Sequence, residues 1–141
     1  MIHKLSLIIL FTIFTLGVKA QKFEGTWLNS SKEGRIEIVK KGNAYFGKLI
    51  WIKEPNDEQG KPKLDKNNPN PQLRNKALIG TEIIKDMKLN GAVLEDGSVY
   101  DPKTGKTYSC RIKLVGSDKM ELRGYVGISM LGRTEVWTRV K

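Results

Sequence analysis

The side chains able to do acid-base or nucleophilic chemistry in this chain are carboxylates, lysines, tyrosines and a single thiol, Cys110. The one histidine, His3, falls inside an N-terminal segment that reads as a cleavable leader. Without imidazole, Ser-His-Asp and Cys-His catalysis lack a base, and the zinc sites that need histidine lack a ligand. Asp96, Asp101 and Glu121 could pair as acid and base, but their spacing does not say which would face each other. Surface acids offsetting lysines are the simpler reading. No catalytic residue, metal or cofactor is expected, and the chain does not read as an enzyme.

Partial motifs fail in the same direction. Lys103-Thr104-Gly105 matches a box of penicillin-binding enzymes, yet no serine is followed three residues later by lysine. Gly105-Lys106-Thr107 matches the end of a phosphate loop, but Tyr100 stands where the first glycine is needed. Asp65-Lys66-Asn67 opens like a calcium loop, but Pro69, Asn70 and Lys76 occupy the third-ligand, glycine and final-glutamate positions. Asn29-Ser30-Ser31 is formally a glycosylation sequon.

Residues 1–20, MIHKLSLIILFTIFTLGVKA, have a cationic start, an apolar run from Leu5 to Leu16 and a small-residue finish. That is the layout of a secretory signal peptide cleaved after Ala20, and the run is shorter than the ~20 residues a membrane-spanning helix needs. A soluble periplasmic or secreted product, residues 21–141, is expected. The full chain carries a net charge of +10, and loss of Lys4 and Lys19 with the leader leaves +8. In an exported protein such charge suits anionic lipid or glycan better than nucleic acid, although a solvated basic surface is the plainer reading. One cysteine excludes an intrachain disulfide, and Cys110 reads as a small buried hydrophobe.

The remaining sequence is a series of short strands separated by glycine turns, with no sustained helical period. In KTYSCRIKLV, Tyr108, Cys110, Ile112 and Leu114 alternate with Thr107, Ser109, Arg111 and Lys113, the pattern of a half-buried strand. NAYFGKLIWIK is apolar on both faces, which predicts cover on both sides. With FEGTWLN, RIEIVKK, GTEIIKDMK, GSVYD, MELRGY and RTEVWTRVK the count reaches about eight, the spacing of an all-β barrel. A single antiparallel barrel would remove edges on which such strands aggregate.

Residues 54–75 carry no strand pattern, and loops beyond ~15 residues are usually functional or disordered. Pro55, Pro62, Pro69 and Pro71 fix φ there, and Asn68 and Asn70 are each held extended by a following proline. With Leu73, Leu78 and Ile79 seeking burial, the run reads as a stiff omega-like loop folded over the barrel.

Gly25-Thr26-Trp27 and Trp137-Thr138-Arg139 stand at opposite ends of the strand series. In a closed barrel the first and last strands are neighbours, so a tryptophan from one can lie under an arginine from the other. Burial of ~200 Å² of tryptophan contributes at most about 5 kcal/mol. Gly25, Trp27, Trp137 and Arg139 are therefore expected to be structural.

Gly25-Thr26-Trp27 with a C-terminal arginine is similar to the short signature of the calycins, the lipocalin and fatty-acid-binding barrels. More closely, the chain resembles the exported bacterial domain-of-unknown-function family 2147 (DUF2147). The resemblance is carried by Asn68-Pro69-Asn70-Pro71 through Leu73-Arg74 and Gly80, Tyr100-Asp101-Pro102 with Gly105-Lys106-Thr107-Tyr108, Arg123-Gly124-Tyr125-Val126-Gly127, and Gly132-Arg133-Thr134 with Trp137-Thr138-Arg139. Leu94 stands where that family tends to have tryptophan. The resemblance implies a lipocalin-like barrel in the cell envelope and no particular activity.

The expected function is binding of a small, largely apolar or amphipathic ligand in the lumen or mouth of the barrel. Tyr45, Trp51, Tyr108 and Tyr125 are the candidate wall or rim, and Arg74 and Arg133 the candidate anion partners. The alternative is an envelope interaction module whose loops bind a protein, a glycan or an anionic lipid surface. On the structural reading of the same residues, side chains fill the lumen and the arginines tie loops down through backbone carbonyls.

Overall fold

The computed structural model describes residues 12–13, 22–125 and 133–141. Residues 1–20, apart from Thr12 and Ile13, lie outside the described residues, as do Val126, Gly127 and Gly132. The strands are β1 (Gly25–Leu28), β2 (Gly34–Lys41), β3 (Ala44–Ile52), β4 (Glu82–Asn90), β5 (Val93–Asp101), β6 (Lys106–Val115), β7 (Lys119–Tyr125) and β8 (Thr134–Arg139). They close in chain order into one barrel. Every neighbouring pair is antiparallel, and Trp27 pairs with Arg139 and Leu28 with Thr138 to join the last strand to the first.

Period-2 alternation sends one face of each strand into the lumen. Trp27, Ile36 and Leu49 form one inward row across β1, β2 and β3. Ile38, Gly47, Ile84, Val99 and Tyr108 form another across β2 to β6. Gly47 is there because space is short: a β-carbon would stand 2.9 Å from that of Ile84. Trp27, Ile84, Met87, Leu94 and Ile112 are fully buried, and Cys110 beside them is buried as expected, so the middle of the lumen is filled by side chains. Leu94 belongs to this core, where an aliphatic side chain does the packing.

The outer face of β3 departs from expectation. Among the described residues no second layer covers it; cationic side chains do. Lys41 lies 5.2 Å from the Phe46 ring centroid and Arg35 4.7 Å from that of Trp51, while Ile50 stays 38% exposed. Long basic side chains can shield apolar surface while their heads reach water, so strand apolarity on both faces did not require a second sheet.

The two ends of the barrel differ. At one end the chain turns tightly at Gly42, Gly91 and Gly116, each with φ between 60° and 69°. Both termini also meet there. Arg139 lies 4.3 Å over the Trp27 ring and donates from Nε to Ser117 O (2.9 Å), from Nη1 to Glu24 O (2.9 Å) and from Nη2 to Lys22 O (2.7 Å). A β-carbon on Gly25 would sit 2.8 Å from that Nη1, which accounts for glycine two residues before the tryptophan. The other end carries the longer connections, including residues 53–81.

Candidate functional site

The long loop is an ordered element with its own hydrogen bonds. Leu64 and Ala77 pair as an antiparallel bridge, flanked by Asp65 N to Lys76 O and Leu78 N to Lys63 O, both 2.9 Å. The Asn70 side chain accepts from Gln72 N and starts the 3-10 turn Pro71–Leu73, with proline placed where no amide donor is needed. Beneath the loop, the Tyr100 hydroxyl donates to Asp65 Oδ1 at 2.6 Å and the Asn68 amide donates to Oδ2 at 2.9 Å. Asp65 is only 3% exposed, so these donors compensate the cost of taking a carboxyl out of water. The Tyr100 phenol is raised above its ordinary range, first by burial and then by the hydrogen bond to Asp65.

The loop also mates with the β5–β6 turn. Asn67 Nδ2 donates to the carbonyls of Pro102 and Lys103 at 3.0 Å each. Gly105 has φ +73°, and a β-carbon there would overlap the carbonyl oxygen of Asn67. Asp101 closes the turn by accepting from Lys103 N and Thr104 Oγ1. Lys103-Thr104-Gly105 is thus a turn, and the Asn-Pro and Tyr-Asp-Pro blocks are two halves of one joint.

Held in this way, the loop walls a cleft of about 960 Å³ at the barrel's long-loop end. Its floor includes Ile52, Leu64 and Leu78; Ile52 and Leu78 pack against the core. Lys53, Lys63 and Lys66 stand in the polar lining beside Glu54, Asp57 and Glu58, with Lys63 3.8 Å from Glu54 and the Glu33–Lys103 ion pair at 2.9 Å. The Lys103 hydrogen bond holds the Glu33 carboxyl below its ordinary value, and the same bond raises the Lys103 ammonium. Glu135, directed inward by its pairing with Leu122, accepts from Trp137 Nε1 at 3.2 Å and adds to the field on Lys103. A second groove, of about 650 Å³, runs between the loop and the outer wall, with Ile83 and Tyr100 among its lining.

The six candidate ligand residues do not come together. Tyr45 is buried near the tight-turn end, its ring edge-on to Phe23 at 5.9 Å and its phenol raised first by burial, then by Glu24. Tyr108 faces the lumen near the opposite end. Trp51 points outward, because a bulge between Arg35 and Ile36 shifts its register onto outward-facing Arg35. Tyr125 is also outward: it pairs with exposed Ser109, its neighbour Gly124 takes the inward position opposite Cys110, and Arg123 lies over its ring. Arg74 donates to Asn68 O at 2.7 Å and Pro69 O at 3.4 Å, so it ties the loop down. Arg133 is exposed, and its carbonyl accepts from Gly124 N.

The cleft is built instead from residues that the sequence marked as a turn, as surface charge or as loop apolar positions. Leu78 carried a usable signal as a loop residue seeking burial. Glu33 and Lys103 carried none, being seventy residues apart.

Residues 25–139 match the family model described as "Uncharacterized protein conserved in bacteria (DUF2147)". No curated protein matches the chain. Among solved structures the chain is similar to protein HP1028 from the human pathogen Helicobacter pylori, described as belonging to the lipocalin family. The TM-score is 0.74 at 24% identity, over 86% of this chain and 85% of that one. That likeness concerns the fold, and it agrees with the closed eight-strand barrel. Family match and architecture together make this chain a member of the DUF2147 family with a lipocalin-like fold.

Proposed function

We propose that this protein is an exported, non-catalytic barrel that binds a small amphipathic molecule, largely apolar with an anionic end, in the cleft at its long-loop end. One observation carries the reading: in a cleft of about 960 Å³ an apolar floor continuous with the core lies under a rim of mixed charge, where Glu54 and Glu33 pair with Lys63 and Lys103 while Lys53 and Lys66 form no ion pair among the described residues. Small-molecule sites span about 300–1,000 Å³ and combine apolar lining with a few polar groups that fix orientation. The mouth is a better candidate than the lumen because Trp27, Ile84, Met87 and Ile112 occupy the space beneath. Export rests on the leader-like residues 1–20.

The test is a calorimetric titration with sodium laurate and, separately, dodecanol, followed by methyl NMR of Leu64 and Leu78. Saturable laurate binding that shifts these methyls is expected. Leu78→Asp should abolish it, and Lys66→Glu should weaken laurate more than dodecanol. Absence of saturable binding, or shifts confined to other methyls, would overturn the reading.

A further inference from the structure

The outer wall of the barrel is covered unevenly. Over β4 and β5 the long loop buries Ile83 and Tyr100, whereas among the described residues none gives the neighbouring wall of β2 and β3 such cover. That wall presents Phe46, Ile50 and Trp51 among Arg35, Lys41 and Lys48. Most of its charge is balanced locally: Glu37 stands opposite Lys48 in register, and Glu82 lies 4.0 Å from Lys41. Arg35 is different. Among the described residues no carboxylate forms an ion pair with it, and its Nε is shielded from solvent without a hydrogen-bond partner.

A guanidinium stacked on a half-buried indole, beside an exposed isoleucine, has the chemistry of a membrane-interface anchor. The ring and the aliphatic side chain suit the boundary between headgroup and acyl chain, and the guanidinium suits a phosphate. The net positive charge of the chain favours approach to a negative surface.

We propose that the outer face of β2 and β3, centred on Arg35, Ile50 and Trp51, docks on anionic phospholipid at a membrane surface. This surface lies outside the mouth cleft and does not depend on ligand binding there.

The barrel permits a clean assay. Trp27 and Trp137 are 0% and 4% exposed, so a vesicle-induced change in emission reports Trp51. Residues 21–141, which contain every strand of the closed sheet, are mixed with phosphatidylglycerol–phosphatidylcholine vesicles or with phosphatidylcholine alone. Binding with a blue shift is expected for the anionic vesicles. Arg35→Glu should lower partitioning about tenfold or more, since each basic residue near such a surface contributes roughly a factor of five. Trp51→Ala should remove the emission change and weaken co-sedimentation. Near-ultraviolet circular dichroism from Trp27 and Trp137 checks that both variants are folded, and Arg35→Gln serves should the glutamate variant fail that check. Equal partitioning to both vesicle types, undiminished binding by the arginine variants, or the same emission change from inorganic phosphate alone would each overturn the proposal.

Discussion

The Tyr100 hydroxyl and the Asp65 carboxylate, thirty-five residues apart, meet at 2.6 Å between the outer wall and the loop that covers it. The bond is the buried fastening of an otherwise exposed segment. Tyr100→Phe removes the donor and should cost about 1–3 kcal/mol. Asp65→Ala should cost at least as much, because it also frees Asn68. Urea denaturation gives the energies, and amide exchange across residues 64–80 locates them. Unchanged exchange in that loop would show that the fastening lies elsewhere.

Two glycines with left-handed φ should respond differently to alanine. Gly42 has φ +60° and nothing lies within 4 Å of the place a β-carbon would take, so Gly42→Ala should cost only the backbone term of about 1–2 kcal/mol. Gly105→Ala carries that strain together with a collision against the Asn67 carbonyl. It should be the more destabilising of the two, and should expose the loop to limited proteolysis. Equal denaturation midpoints would contradict the fitted joint.

At the seam of the barrel, Trp27→Ala should cost about 3–5 kcal/mol. Arg139→Ala removes the cation over the ring and its bonds to three carbonyls, each such charged bond contributing about 1.5–3 kcal/mol. The double variant should lose less than the singles combined, with a coupling of about 0.5–2 kcal/mol. An additive pair would separate the arginine's role from the tryptophan's.

Alkaline pH should weaken the fold. Burial pushes the Cys110 thiol from 9.0 up to about 12, so above pH 9 the native state keeps a proton that the unfolded chain has released. Stability therefore falls as pH rises through this window, at up to about 1.4 kcal/mol per pH unit. Tyr45 and Tyr100, both raised from 10.0, add to the loss above pH 10. Cys110→Ala should flatten the dependence between pH 9 and 10 in urea titrations. The native thiol should also resist alkylation at pH 8 and react on unfolding.

The strand series was legible because alternation survives in isolation: KTYSCRIKLV predicts the inward Tyr108, Cys110 and Ile112 found in β6. The meeting of Trp27 with Arg139 followed from closure alone. Alternation failed at Trp51, where a bulge turns a side chain to the other face, and no residue type there announces a bulge. Tyr125 shows a different failure, since aromatic character alone does not give a strand its inward phase. The fastening of Asp65 by Tyr100 was illegible because a buried carboxylate and its distant donor leave no local spacing. That residues 54–75 form a folded loop and not a strand was, by contrast, legible in Pro55, Pro62, Pro69 and Pro71, and the bridge between Leu64 and Ala77 agrees with a folded loop.

The junction between β1 and β8 is short, resting on the Trp27–Arg139 and Leu28–Thr138 pairs, and the two chain ends leave the barrel on the same side of it. Tension applied through the termini would therefore peel those strands apart bond by bond instead of shearing many bonds together. Pulled by its ends, the molecule would yield at low force, with the arginine clamp as the first obstacle to give way.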